Sequence, residues 1–243
     1  MRLSRQPLAT TILVATALHF GTASAQTLAT PAGAAAGPAR QRPAPANAAK
    51  ADPLAGGAEI FENLTESAPT IDAAGFKNSL SGFETLHPAI ARHLSSARKQ
   101  HLDRLVGAVR DAWRKGDRAS VALQSIEAYR LLQEAIDHRA QPVPVKVPLL
   151  DYAGFKLNAL LLSPEPDWKQ IAATSREASM WWAAIRTRIT DKALRDAMDH
   201  TIAAIKDASA RRDSKLLGSG AEQDLDLVDR LEAFFNVHAS PHP

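Results

Sequence analysis

At about Gly57 the chain changes composition abruptly, and that break decides how much of it can fold. Residues 26–57 are almost entirely Ala, Pro, Gly, Thr and Gln, with few charges and no aromatic side chain. Such a run buries no useful apolar face, and its prolines interrupt helices. It reads as a flexible tether. Beyond it, apolar residues recur every three to four positions rather than every two, which is the period of a helix and not of a strand. Of the 243 residues, 58–237 are therefore expected to form one helical domain, with 238–243 as a flexible tail.

The tether is preceded by a segment of a different kind. Arg2 and Arg5 stand before an apolar stretch over residues 8–20, which closes in Ala23-Ser24-Ala25. A basic start, a short apolar run and small residues at the end make the pattern of an export signal. Residues 1–25 are read as that signal, cleaved before Gln26, and the mature chain as periplasmic or secreted. The run is too short to cross a bilayer comfortably, so no stable membrane span is expected after cleavage. Losing Arg2 and Arg5 removes two positive charges and takes the formal net charge from +3 to +1. A near-neutral chain with interspersed charges has no electrostatic reason to seek nucleic acid. The chain has no Cys. Disulfides, thiolate metal sites, covalent CxxCH haem attachment and cysteine nucleophiles are thereby excluded.

The helical period predicts five main helices. Pro88 suits a first turn, and Ile90, Leu94, Ala97, His101, Leu105 and Val109 then mark one stripe over residues 88–113. Gly116-Asp117 breaks that run. A second helix over 118–139 carries Ala122, Ile126, Tyr129, Leu132 and Ile136. Three prolines between Gln141 and Pro148 predict an extended crossing, followed by a short helix over 150–162. Asp167 can cap a long helix that turns Trp181, Trp182 and Ile185 inward. Another follows Thr190, with Leu194, Met198, Ile202 and Ile205 in phase. The last covers 221–237, with Glu222, Asp224 and Asp226 read as the acids of its first turn. Residues 60–84 predict two small helices split by Pro69 and Gly75. Short turns favour antiparallel neighbours, so the fold expected is all-α, an antiparallel helical bundle with a four-helix core plus short additional helices.

Several polar residues have spacings that chemistry uses. Glu84-x-x-His87 places an oxygen and a nitrogen donor three apart, as helical metal sites do. His101 interrupts an otherwise apolar stripe, and a buried neutral imidazole there needs partners or a metal. Glu134 and His138 stand one turn apart, as do Asp196 and His200. Glu84, His87, His101, Glu134 and His138 are thus the candidate metal ligands, for Fe, Cu or Zn. Each also has a plainer reading as a solvated helix-end or satisfied core residue. Met180, Trp181 and Trp182, with the hydroxyls of Tyr129 and Tyr152, form the alternative set, able to line an apolar ligand pocket or to fill a core.

No GxSxG, HExxH, Walker A or GxGxxG sequence occurs, so an enzyme is the less favoured expectation. In architecture alone, residues 88–237 resemble periplasmic helical bundles of the cytochrome-like and iron-uptake accessory kinds. The resemblance carries no complete metal signature and transfers no activity. The sequence is read as an exported binding or accessory protein that takes a transition metal through His and carboxylates. The competing expectations are an aromatic-lined bundle holding a small apolar ligand or a partner helix, and a purely structural interaction module.

Overall fold

The computed structural model describes residues 52–238, and among them every regular element is helical. The expected all-α bundle is what forms, with eight α-helices in place of five main ones. They are α1 (Pro53–Ser67), α2 (Ala73–His93), α3 (Ser96–Arg114), α4 (Arg118–Gln133), α5 (Lys146–Leu161), α6 (Trp168–Ile185), α7 (Lys192–Arg211) and α8 (Ser214–His238). Residues 1–25, most of the tether and the last residues of the tail lie outside the described residues. None of the described helices is long and apolar enough to cross a membrane.

Short polar side chains set most of the helix starts. Asp52, Asp72, Ser95, Asp117, Asp167 and Asp191 each accept a hydrogen bond from a backbone N–H of the turn that follows. Each such cap is worth about 1 kcal/mol, because those first N–H groups have no partner within the helix. The caps explain where the expected boundaries were wrong. Pro88 does not start a helix; it lies inside α2. No Ser, Thr, Asp or Asn precedes it to hold a first turn, whereas Ser95 accepts from the Arg98 N–H at 3.3 Å and opens α3. Leu94 between the two helices is extended. A proline inside a helix costs about 3 kcal/mol, which α2 offsets by burying Phe76, Leu80, Phe83 and Ile90.

Other boundaries move for related reasons. Asp191, not Thr190, caps α7. Asp213 accepts from the Leu216 N–H and starts α8 seven residues early, so Gly218-Ser219-Gly220 is helix and not a break. The expected extended crossing narrows to a short 3-10 turn at His138–Ala140 and the residues after it, because Pro148 sits in the first turn of α5. At the other end α1 begins at Pro53, inside the segment read as tether. Gly57 there is not a flexible spacer. A Cβ on it would come within 2.6 Å of Ile90 Cδ1 and 3.1 Å of Leu132 Cδ1, so its absence lets α1 close on α2 and α4.

The helices pack in two halves. α5, α6, α7 and α8 close a four-helix ring, each touching the next and α8 returning to α5. α5 is buried on nearly every side, as a helix apolar all round should be. In the other half α1 packs on α4, with α2 against α1 and α3 against α4, and α4 joins this half to α5. The backbones of α2 and α3 stay further apart than those of the packed pairs.

Candidate functional site

The separation of α2 from α3 leaves an open groove of about 600 Å³ at their far end, within the range that small-molecule sites occupy. Phe76 and Leu80 from α2 and Trp113 from α3 give it an apolar wall, and Gly107 gives it space, since a Cβ there would meet nothing within 4 Å. The Phe76 and Trp113 rings stack nearly parallel, 4.1 Å apart, and the Arg118 guanidinium lies 3.9 Å from the Trp113 ring. Cations sit along the rim. Arg110 is held by Glu84 at 2.6 Å, and Arg114 pairs with Asp111. Lys77 forms an ion pair with no described residue.

Beyond the Phe76–Trp113 stack, the two helices are tied by polar contacts. Besides Arg110–Glu84, the His87 Nε2–H donates to Asp103 at 2.9 Å, and Lys99 donates to the same carboxylate at 2.6 Å. The Lys99 hydrogen bond, helped by His87, holds Asp103 below the usual carboxylate range against a partial burial that works the other way.

These contacts account for two candidate metal ligands, Glu84 and His87, in ion pairs rather than in a ligand set. The remaining three stand elsewhere. His101 is exposed, because the break at Leu94 rotates the stripe and the buried face of α3 is Leu102, Leu105, Val106, Val109 and Ala112. Glu134 accepts from the Arg130 Nε–H at 2.9 Å. His138 donates to the Gln133 carbonyl oxygen at 2.9 Å. The Asp196–His200 pair splits too: Lys192 holds the carboxylate, and the His200 Nδ1–H donates to the Asp196 carbonyl. Among the described residues no three His, Asp or Glu side chains stand together as a metal would require.

The aromatic candidates divide by face. Tyr129, Tyr152, Trp181 and Trp182 are buried in the core, whereas Met180 is 62% exposed and lines nothing with them. The Trp182 indole N–H donates to Asp199 at 2.8 Å, and Arg186 clamps the same carboxylate through two nitrogens. The Tyr129 hydroxyl donates to Asp151 at 3.1 Å.

Tyr152 is the centre of a polar knot. Its hydroxyl lies 2.9 Å from Glu127, 2.7 Å from Lys156 and 3.4 Å from Arg130. Burial, then the Glu127 charge, pushes the Tyr152 phenol up, so it is a neutral hydroxyl and not a base. Burial works to lower Lys156, but Tyr152 and Glu127 outweigh it and keep the ammonium charged. The knot therefore joins helices and offers no activated nucleophile. Sequence reasoning singled out Tyr152 but not Glu127, Arg130, Lys156 and Glu177. Their exposed-looking positions on α4, α5 and α6 become neighbours only once those helices pack. The groove was missed as well, since its wall is built from Phe76 and Trp113, on two helices that the sequence delimited differently.

The chain matches no family model, no curated protein and no solved structure.

Proposed function

We propose that the protein is an exported binding protein that holds a small amphipathic molecule with an acidic head in the groove between α2 and α3. The observation that carries this reading is the groove itself: an opening between α2 and α3 whose floor is the packed edge of Phe76, Leu80 and Trp113 and whose rim carries Lys77, Arg110 and Arg114. The wall favours an apolar body by removing it from water. The rim favours an acid, because Lys77 is free to pair while Arg110 and Arg114 already have carboxylate partners. Export is supported by the pattern of residues 1–25.

The test is direct. Protein purified from its native compartment is extracted and its organic content identified by mass spectrometry. In parallel a fluorescent medium-chain carboxylate is titrated into wild type, Leu80→Glu and Lys77→Ala. Leu80→Glu is expected to abolish binding, and Lys77→Ala to weaken it roughly fivefold, the worth of one exposed ion pair. Equal binding by all three proteins overturns the reading.

A further inference from the structure

One side chain outside the groove, on α8, is anomalous. Asp224 is 0% exposed, and neither of its carboxylate oxygens has a hydrogen-bond partner among the described residues. The sequence placed it in the first turn of a helix, where an acid is solvated. Because α8 starts at Ser214, Asp224 instead falls on the core stripe with Leu217, Ala221, Val228, Leu231 and Phe235. It points at α5, where a Cβ on Gly154 would stand 3.1 Å from Asp224 Oδ2. On the side of α7, Gly220 lies against Ile205, one turn from Asp224 along α8 and one turn from Thr201 along α7. Thr201 Oγ1 is also buried without a partner among the described residues.

We propose that Asp224 is a proton-dependent fastener of α8, which docks on α5 and α7 most firmly while this carboxyl holds its proton and loosens as the medium turns from acid to neutral. The physical basis is that an ionised carboxylate with no partner cannot be buried cheaply, whereas the neutral acid can. Among the described residues no charge near Asp224 compensates. On α5, Asp151 is turned to Tyr129, and Lys156 to Glu127 and Tyr152. On α7, Asp199 is turned to Trp182 and Arg186, and His200, Lys206 and Asp207 are exposed. On α8 itself Glu222, Asp226, Asp229 and Arg230 all face outward. Burial alone accordingly pushes the carboxyl up to about 8. An α8 that has come away exposes Asp224 to water, where its ordinary value is 3.8. Between those two values the detached state gains on the docked one tenfold with each pH unit, and above the higher value the effect levels off.

The experiment compares wild type with Asp224→Asn, a neutral isostere, using the full chain. Hydrogen exchange is followed between pH 5 and pH 7.5 and corrected for the intrinsic rate. Wild-type α8 amides are expected to lose protection about tenfold per pH unit across that range. Asp224→Asn is expected to show none of that slope, and amides of α1 to α3 none in either protein. A carboxyl-carbon titration of wild type provides a second measurement that needs no folded variant, and should place Asp224 far above the other aspartates. The proposal is overturned by the same α8 slope in Asp224→Asn, by an equal slope in α1 to α3, or by an Asp224 carboxyl that titrates in the ordinary range.

Discussion

Arg130 on α4 reaches the Glu177 carboxylate on α6 at 3.3 Å, crossing the ring of Tyr152 on α5 to do so. Its guanidinium carbon lies 5.0 Å from the Tyr152 ring centre and 5.5 Å from that of Trp181, while its Nε–H is taken by Glu134. One flat cation thus joins three helices. Lysine keeps the charge but has neither the fork nor the face. Arg130→Lys is expected to cost about 1–2 kcal/mol of unfolding free energy, read from urea melts. A loss no larger than that of a surface Arg→Lys exchange would show that the crossing is incidental.

Two glycines should answer in opposite directions to the same substitution. Alanine in place of glycine raises helix propensity by about 1 kcal/mol. At Gly82 in α2 the nearest atom to a new Cβ is Ile60 Cδ1 at 3.6 Å, ordinary contact, so Gly82→Ala is expected to stabilise. At Gly57 the contacts of 2.6 and 3.1 Å with Ile90 and Leu132 leave no room. Gly57→Ala is expected to destabilise by about 1–3 kcal/mol, the usual range for overpacking. Thermal melts of the two variants should move to either side of the wild type.

On the acid side the Trp182–Asp199 contact gives a readable titration. The Arg186 hydrogen bonds, with that of Trp182, hold Asp199 below its usual range. A depressed carboxyl contributes stability that is present above the unfolded value of about 4 and is lost as pH falls through the lower folded value. Below about pH 4 the Trp182 indole N–H resonance should therefore shift as its acceptor protonates. Asp199→Asn should abolish that shift and flatten the acid limb of the stability curve. An unchanged acid limb in the variant would show that the contact contributes nothing to folding.

The sequence was most legible where a cap and a stripe agree. Asp167 opens α6 at Trp168 as expected, and Leu194, Met198, Ile202 and Ile205 are all buried on α7. It failed where phase mattered. One residue turns a helix by about 100°, so reading residues 88–113 as a single helix carried His101 from an exposed face into an imagined core. The same sensitivity separates Met180 from Trp181 one position later. Starting α8 at 221 made Asp224 a solvated first-turn acid, although its spacing from Leu217, Ala221 and Val228 already placed it on the apolar stripe. Contacts such as Arg130–Glu177 leave no local trace, because they join helices brought together only by packing.

Gly107 offers the most selective test of the groove. It lies in α3 on the groove wall, and a Cβ there meets nothing within 4 Å. Gly107→Leu should therefore plug the groove from within while leaving the packing of α3 on α4 undisturbed, and the exchange also removes a helical glycine, worth about 1 kcal/mol in favour of folding. The expected result is a protein at least as stable as wild type that no longer takes up a medium-chain carboxylate. Most binding-site variants lose stability along with affinity, which confuses the two; here they should move apart. Undiminished binding by a folded, more stable Gly107→Leu protein would place the ligand elsewhere on the molecule.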